Sequence, residues 1–487
     1  MTTLDTAVLP TTRLFGRDIE HKWIVAVVFT LAIFLDILDT SIVNVTLPKL
    51  GSEFRTDAVE WVVLGYTLSL AVWIPVSGWL GDRFGTKRTF LTALLVFIAG
   101  SALCGAAQSI GQLVAFRVFQ GVGGGMLTPV GVAMLFRAFP PVERARASTL
   151  MMIPTLAAPA LGPIIGGFIV THIGWRWIFY VNVPIGLVAF VFGFRFLREH
   201  REPSAGGFDI PGFVLSGTGL ALVVYSLSEG PRAGWTSTQV LACGAVGTLS
   251  FIALVVWELR VSKPMLDLRL LVDRMFRNSN VISIFSTASF LGLIFVLPLY
   301  LQTLRGFDAL QSGLATFPQA LGIMVSSQLA GRLYKRIGPR RLMGGGLAWA
   351  SVTILTFVFL GLHTNLWWIR TMIFVRGLGM GFAFVPMQAA SYAKIRPQDN
   401  GRASSIFSTQ RQMAASLGIA ALATILSTYT RLGQPATDPQ RALTGFHVAF
   451  IASAVFAAVG AAVAWFLVHD EDAASTMART AVVHVVE

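Results

Sequence analysis

The sequence predicts an all-α integral membrane protein with fourteen transmembrane helices. Hydrophobic residues make up 54% of the 487 positions and charged residues 13%, whereas a soluble domain has about 25% charged residues. Each of fourteen apolar segments is long enough for a membrane-spanning helix, and none shows the period-2 alternation of a barrel strand. Lysine and arginine gather in every second connection, which agrees with repeated crossing of a bilayer.

The basic connections also predict the topology. The apolar segments are about 23–47, 58–80, 89–108, 111–136, 147–171, 176–197, 209–228, 237–257, 278–303, 310–333, 341–362, 366–390, 402–429 and 444–468. Cytoplasmic loops carry an excess of Lys and Arg, as between the second and third segments at Arg83, Lys87 and Arg88. We therefore expect a multi-pass protein of the cell inner (plasma) membrane with both termini in the cytoplasm. This distribution explains the net charge of +13 without a nucleic-acid partner.

Two acids, Asp36 and Asp39, lie inside the first apolar segment. They are three residues apart, so they share nearly one face of a helix. A carboxylate near the bilayer centre costs roughly 2.5–3.5 kcal/mol. Two carboxylates this close cannot both ionise easily in an apolar setting, so we expect at least one to hold a proton more tightly than in water. Such acids suit proton coupling; a satisfied buried pair that holds helices together is the alternative.

An internal repeat divides the chain. Three pairs of stretches align at nearly one offset: Gly78–Arg88 with Gly331–Arg341, Glu143–Ser148 with Asp399–Ser404, and Gln120–Gly123 with Arg376–Gly379. Two six-helix units in the same orientation are typical of a transporter that rocks around a midplane site, and a duplicated scaffold without transport is the alternative. We expect a cytoplasmic N-terminus at 1–22, a six-helix bundle at 23–197, a linker with two extra transmembrane helices at 198–277, a second bundle at 278–468, and a cytoplasmic tail at 469–487, mobile after Asp470.

Four motifs carry a resemblance to a known family, and a fifth stretch, at the start of helix 6, is also typical of it. They are Leu38–Pro48 in helix 1, Gly78–Arg88 after helix 2, Arg117–Gly123 in helix 4, Gly162–Gly167 in helix 5, and Trp175–Gly186 opening helix 6. From about residue 22 to 468, the chain resembles the major facilitator superfamily and, within it, the fourteen-helix drug:proton antiporters of the EmrB/QacA type. The resemblance implies a major facilitator fold of six, two and six helices. It also implies a proton-coupled multidrug efflux transporter that exports amphipathic small molecules, with organic cations as the expected class.

The resemblance further assigns roles to single residues. Asp39 matches the helix-1 acid of the family and would carry the proton, and Arg117 would face the helix-1 acids and tune their proton affinity; a snorkelling arginine is the alternative. Asp36 is not part of the family signature, and we expect it to hold a second proton or to act as a partner. A conformational latch would follow helix 2, with a topology anchor as the alternative. Because Lys335 replaces the latch acid in the second copy, we expect an acidic latch in one half only. The latch residues are Gly78, Asp82, Arg83, Gly85 and Arg88.

Helix 5 contains a motif that is typical of exporters, although Ala158 stands where the motif usually begins with glycine. Prolines kink helices, and glycines one turn apart let another helix approach closely. We therefore expect a pliable seam between the two halves, with a static kink as the alternative. The motif residues are Pro159, Gly162, Pro163, Gly166 and Gly167.

The substrate site can be outlined from helices that line the central cavity of such transporters. Apolar walls with sparse polar groups suit a small molecule, and aromatic faces can hold organic cations. Core or lipid-facing positions are the alternative, and a structural ion pair is equally open for Arg411. The candidates are Tyr66, Phe290, Gln319, Met324, Phe384, Met387, Gln388, Gln410 and Arg411.

The sequence contains no enzyme motif and no glycine–lysine nucleotide loop, so we expect a protein that is not an enzyme and is driven by the proton gradient without cofactor or metal. Cys104 and Cys243 are expected to be packing residues. The expected partners are membrane lipids, protons and a small amphipathic substrate; related exporters in two-membrane cells can also use a periplasmic adaptor. Export of a lipid or of an endogenous metabolite or antibiotic, and a non-transporting membrane sensor or scaffold, remain the alternative functions.

Overall fold

The protein is described by a computed structural model that covers residues 11–14, 17–55, 61–202, 207–262, 264–430 and 438–477. Almost all of this is helical. A small antiparallel hairpin precedes the first helix, with strand β1 at Thr11–Leu14 and strand β2 at Arg17–Glu20. The hairpin is a local departure from the all-α prediction and lies outside the predicted apolar segments.

Seven helices form the first bundle, which we call the N-terminal half. They are α1 His21–Phe54, α2 Trp61–Phe84, α3 Thr86–Gly105, α4 Ile110–Ala138, α5 Arg144–His172, α6 Trp177–Tyr180 and α7 Asn182–Phe196. Gly85 separates α2 from α3 at a φ of 103°, a conformation that glycine adopts without strain. Ser109 caps α4 by accepting a hydrogen bond from the Gln112 amide at 3.3 Å.

Two helices, α8 Ile210–Ala233 and α9 Thr238–Arg260, follow as a pair that we call the extra hairpin. Asp209 caps α8 by accepting a hydrogen bond from the Gly212 amide at 2.9 Å. Helix α8 packs against α9, against α2, and against α15 of the second bundle. The hairpin therefore touches both halves of the molecule.

The second bundle, the C-terminal half, also has seven helices. They are α10 Arg274–Thr303, α11 Ala309–Thr316, α12 Pro318–Ile337, α13 Pro339–Leu355, α14 Leu366–Ser391, α15 Asn400–Ser427 and α16 Pro439–Leu467. The predicted segment 310–333 is thus two helices, since Pro318 has no amide hydrogen to continue α11 and instead begins α12.

Within the described residues, eleven helices are long and apolar enough to cross a membrane, which confirms the prediction of a helical membrane protein. The eleven do not include the helices at the predicted segments 147–171, 310–333 and 402–429. Helix α15 shows one reason, because it carries a polar run from Ser408 to Gln412. The total of fourteen crossings stays a prediction.

The two halves meet at the end of the bundle that carries the α2–α3 and α12–α13 turns, which we call the basic end. Among the described residues, the hydrogen bonds between main helices of the two halves lie within roughly three helical turns of this end. They join Ser77 and Gly78 to Ser405, Pro129 to Ser404, Arg137 to Pro397, Arg144 to Tyr392 and Thr149 to Ser327. The basic end is therefore closed in this structure.

The tail begins as ordered structure, which corrects the expectation of mobility after Asp470. A 3-10 helix at Asp470–Thr476 packs under the C-terminal half. The Asp470 carboxylate accepts a hydrogen bond from the Arg340 amide at 2.9 Å, at the start of α13. Lys394 donates to Asp472 at 2.5 Å, and this contact lowers the pKa of the Asp472 carboxyl below its ordinary value. Residues 478–487 lie outside the described part of the chain.

Candidate functional site

Asp39 is the centre of a buried polar cluster inside the N-terminal half. It forms an ion pair with Arg117 of α4, and both side chains are 0% exposed. Its other carboxylate oxygen accepts hydrogen bonds from Gln120 at 3.1 Å and from Asn182 of α7 at 2.7 Å. Two helices, α4 and α7, thus supply three donors to one acid, which is the arrangement that a buried carboxylate requires.

Arg117 is held on several sides. Its Nε donates to the Val62 carbonyl of α2 at 3.1 Å, and one of its terminal nitrogens also donates to Gln120 at 2.7 Å. The guanidinium lies over the ring of Tyr66, 4.1 Å from the ring centroid, within the range of a cation–π contact. An arginine enclosed in this way cannot reach a lipid headgroup, so its position does not fit the snorkelling alternative.

Asp36 lies in a different setting, although it is only one turn from Asp39 on α1. Its carboxylate accepts a hydrogen bond from the Tyr66 hydroxyl, and the side chain is only half-buried. Across the molecule it interacts electrostatically with Arg411 of α15. Asp36 therefore interacts with a positive charge in each half, Arg117 and Arg411, whereas the hydrogen bonds and the ion pair of Asp39 lie within its own bundle.

Glycines of α4 make this geometry possible. A Cβ at Gly121 would lie 2.8 Å from the Tyr66 carbonyl oxygen, and one at Gly125 would lie 2.9 Å from the Leu70 carbonyl oxygen. Gly124 faces the Tyr66 hydroxyl and Asp36. The glycine run at 121–125 therefore brings α4 close to α2 and to the acids of α1, and it lies within a helix.

The predicted latch residues lie where the halves meet at the basic end. Gly78 packs directly on α15, because a Cβ there would be 2.5 Å from the Gly401 carbonyl oxygen and from Ser405. Asp82 is 3% exposed, approaches Gly401 at the start of α15, and interacts electrostatically with Arg137 and Arg402.

The basic residues of the same motif lie apart from that contact. Arg83 is exposed. Arg88 is exposed as well and lies 3.7 Å from the carboxylate of Glu199. Gly85 makes the turn itself. The structure thus separates the motif into a buried part that touches the C-terminal half and an exposed cationic part.

The helix-5 glycines contact a neighbour other than the expected one. Gly162 packs on Ser41 and Gly166 on Ile42, both in α1 of the same half. Gly167 has no neighbour within 4 Å of an added Cβ. Helix α5 does pack against α12 and α14, but these glycines do not form that seam. The side chains of Pro159 and Pro163 lie outside the described part of the structure.

Some substrate candidates come together on the C-terminal side. Phe290 and Phe384 form an edge-to-face pair with centroids 5.2 Å apart. Met387, one turn after Phe384, accepts a hydrogen bond on sulfur from Ser286 at 3.7 Å. These contacts place α10 and α14 side by side with an aromatic surface between them.

Other candidates are more scattered. Gln388 is buried on α14, and the amide of Gln410 on α15 has no hydrogen-bond partner among the described residues. Met324 is 38% exposed on a face of α12 that it shares with Leu321 and Val325. Tyr66 belongs to the acid cluster of the N-terminal half rather than to this group.

Gln319 has a specific partner that the sequence did not predict. Its amide oxygen accepts a hydrogen bond from Arg376, which is 0% exposed. The repeat had aligned Arg376 with Gln120, so a polar core position was visible in the sequence, but its partner was not. Asn182 was likewise missed, although it lies in the quoted motif that opens helix 6.

A metal site is not apparent in the part of the chain that the structure describes, where no three His, Cys, Asp or Glu side chains form a group that could hold an ion. Cys104 is buried and Cys243 is half-buried, and neither is in a disulfide. The Cys104 thiol lies 3.7 Å from the Gln120 amide oxygen, at the edge of the Asp39 cluster.

Comparisons with known proteins show similarity in sequence and in fold. A family model described as the Major Facilitator Superfamily matches residues 29–419 and 281–481. An uncharacterised MFS-type transporter, YhcA, of Bacillus subtilis (strain 168) is 34% identical over 416 residues, which cover 85% of this chain and 78% of that protein. A multidrug resistance protein B homolog of Mycobacterium tuberculosis (strain ATCC 25618 / H37Rv) is 34% identical over 398 residues, covering 80% and 73%.

A solved structure also matches over most of its length. The human organic anion transporter MFSD10 (TETRAN) superposes with a TM-score of 0.65 at 14% sequence identity, and the match covers 91% of this chain and 99% of that chain. At this identity the likeness concerns the fold alone.

Proposed function

The chain belongs to the major facilitator superfamily and, within it, to the drug:proton antiporters, and from this premise we propose that it exports amphipathic small molecules in exchange for protons. The name of the Mycobacterium tuberculosis relative, a multidrug resistance protein, supports a multidrug substrate range. The observation that carries the proposal is the acid pair of α1. One acid is locked into an ion pair, and the other faces the opposite half.

In this proposal the two acids have linked but different tasks. Asp36 is half-buried and faces Arg411, so it can hold a proton or the cationic group of a substrate, but not both. Asp39 is enclosed with Arg117, and a proton reaches it when that ion pair loosens. Because loading of one species requires release of the other, substrate leaves as protons enter.

The finer architecture is part of the same proposal. Six helices at 23–197, two extra helices at 198–277 and six more at 278–468 would make fourteen crossings, with 1–22 and 469–487 in the cytoplasm of an inner-membrane protein. The closed basic end would then face the cytoplasm. The latch around Asp82 would hold that end shut until the substrate is released outside. No cofactor is required, because the proton gradient supplies the energy, and a periplasmic adaptor is left open.

The test uses purified full-length protein in proteoliposomes with an imposed pH gradient and ethidium as the transported cation. The native protein should move ethidium only when the gradient is present. Asp39→Asn and Asp36→Asn should each lose nearly all gradient-driven transport. Glu53→Gln is the matched control, since Glu53 lies on the same helix in an exposed ion pair with Arg176.

Gradient-driven transport that survives in both acid variants would contradict the assignment of coupling to α1. A native protein that moves no ethidium under any gradient would contradict export of organic cations and favour a lipid or metabolite substrate.

A further inference from the structure

Arg376 is a buried arginine whose charge is not balanced within the described structure. It lies near the middle of α14, and its side chain is 0% exposed. One terminal nitrogen donates to the Gln319 amide oxygen and the other to the Ser289 carbonyl at 3.2 Å, while Nε has no partner. Across the described ranges, no carboxylate lies within ion-pair distance or interacts electrostatically with it.

This arrangement is unfavourable as it stands. Arginine keeps its charge in proteins, and an unpaired charge in an apolar interior is strongly disfavoured. The partners of Arg376 are neutral carbonyl oxygens, which attract a guanidinium less than a carboxylate does. An external anion would therefore bind more favourably here than it would at an exposed arginine that is already solvated.

The N-terminal half indicates what is missing. There, Arg117 on the fourth helix segment is paired with Asp39 on the first helix, α1. In the C-terminal half, Arg376 on the fourth helix segment reaches Ser289 on the first helix, α10, but finds only a backbone carbonyl. Each half thus has a buried arginine on its fourth helix segment, although the repeat aligns Arg376 with Gln120 and not with Arg117. Among the described residues, only the arginine of the N-terminal half is paired with a carboxylate.

The surroundings of Arg376 define the ligand. Gln319 is 8% exposed and Phe290 is 9% exposed, so both lie at the boundary of the core. The guanidinium carbon is 5.5 Å from the ring centroid of Phe290, which pairs with Phe384. An anionic group at the guanidinium would therefore have an aromatic surface beside it for the apolar part of the same molecule.

We propose that Arg376 and Gln319 form an anion subsite that takes the carboxylate of an amphipathic organic anion or zwitterion. The Gln319 amide oxygen holds the position that a carboxylate oxygen would occupy and turns aside when the ligand enters. The inference rests on the proposed function in taking the ligand to be an exported molecule, and it extends the substrate class from cations to molecules that carry a carboxylate.

The test compares two dyes that differ only at the carboxylate, tetramethylrhodamine and its methyl ester. Binding to the purified full-length protein is followed by fluorescence anisotropy. Arg376→Gln should weaken binding of the acid by about tenfold or more, the factor expected for a charge-assisted hydrogen bond, and should leave binding of the ester within about twofold. Arg370→Gln, on the same helix, is the control and should bind both dyes as the native protein does.

A second variant distinguishes loss of the subsite from misfolding of the protein. Gln319→Glu supplies the missing carboxylate from within, so it should raise the apparent melting temperature and abolish the preference for the acid. Equal effects of Arg376→Gln on both dyes, or no effect on either, would overturn the subsite. If the ester is transported under a pH gradient but the acid does not bind, the subsite fails and the proposed function stands. If the acid binds through Arg376 but no dye is transported, the subsite stands and the proposed function fails.

Discussion

Asp36 and Asp39 show how two chemically identical side chains on one helix acquire different properties. Asp39 receives hydrogen bonds from Gln120 and Asn182 and an ion pair from Arg117, and its side chain is 0% exposed. Among the described residues, the Asp36 carboxylate accepts one hydrogen bond, from Tyr66, and the side chain remains partly accessible. Burial and partners, rather than residue type, therefore distinguish the two acids, and the different tasks proposed for them rest on this difference.

The Asp39–Arg117 pair leads to a stability prediction. Arg117→Met leaves a buried carboxylate without its cation, and such losses cost roughly 3–5 kcal/mol. The variant should therefore show a clearly lower apparent melting temperature in detergent, measured by fluorescence-detected size-exclusion chromatography after heating. The double variant Asp39→Leu with Arg117→Met removes both charges and should recover most of the loss.

The matched control for that experiment is the exposed pair of Arg176 and Glu53, which lie 3.2 Å apart with side chains 42% and 37% exposed. Arg176→Met should change the stability by no more than about 1 kcal/mol. A double variant as unstable as Arg117→Met alone would mean that shape, and not unpaired charge, makes the pair important.

Residue types inside apolar segments could be read from the sequence, but their partners could not. Asp39 and Arg117 stand out because charges in such segments are expensive. Asn182 is an ordinary polar residue in the sequence, and only the packing of α7 against α1 makes it a donor to Asp39. Arg376 appeared in the repeat, yet its lack of a carboxylate depends on every side chain that surrounds it in the fold.

At the scale of elements, the contact between α2 and α15 depends on small residues. Gly78 lies against Gly401, and the Gly78 amide donates to Ser405 at 2.9 Å. This close approach brings the Asp82 carboxylate to the first turn of α15, where the helix dipole presents roughly half a positive charge. Arg137 and Arg402 add full positive charges nearby. The contact therefore combines close packing of α2 on α15 with favourable electrostatics around the Asp82 carboxylate.

Gly78→Val tests this contact. The added side chain would meet the Gly401 carbonyl, so the basic end should close less readily. Overpacking costs about 1–3 kcal/mol, which corresponds to roughly a five- to hundredfold shift of the conformational equilibrium. We expect gradient-driven ethidium transport to fall by a comparable factor while ethidium binding is retained.

Gly345→Ala is the control for the glycine experiment, because an added Cβ at Gly345 in α13 has no neighbour within 4 Å. It should transport at the native rate. If Gly78→Val also transports at the native rate, closure at this contact does not limit the cycle.

Each half also has a carboxylate at the start of the helix that follows its turn. Glu199, after α7, accepts hydrogen bonds from the Lys87 and Arg88 amides at 3.1 and 3.2 Å. Asp470, after α16, accepts one from the Arg340 amide at 2.9 Å. The repeat predicted the two turns, but neither carboxylate was predicted, since each comes from a segment far along the chain that shows no periodic pattern.

At the scale of the whole molecule, the structure has a closed basic end and two acids that differ in exposure. Cyclic transport requires that the two halves separate at the basic end and approach each other at the opposite end. One net charge that moves inward across about 100 mV supplies roughly 2.3 kcal/mol. At about 1.4 kcal/mol per tenfold ratio, this supports roughly a 40-fold substrate gradient.

The extra hairpin must accommodate that motion. Helix α8 packs on α2 in one half and on α15 in the other, and Trp235, between α8 and α9, donates to Thr424 of α15 at 2.9 Å. Gly217 in α8 lies 3.2 Å, measured from an added Cβ, from Val72 of α2. A helix that touches both halves either moves with one of them or bends between them. The sequence predicted that these helices exist and belong to neither copy, but not which surfaces they cover.

A cross-link at the basic end would show whether the halves separate there. An added Cβ at Gly331 lies 3.0 Å from the Thr149 hydroxyl oxygen, a separation suited to a cysteine pair, in which the two side chains approach closely. In a background with Cys104→Ala and Cys243→Ser, the pair Thr149→Cys and Gly331→Cys should form a disulfide under mild oxidant. Ethidium transport in proteoliposomes should then stop, because α5 and α12 can no longer part, and a reductant should restore it. Each single cysteine variant should be insensitive to the oxidant. Native transport by fully cross-linked protein would mean that this contact stays closed throughout the cycle, and the opening would have to be sought elsewhere.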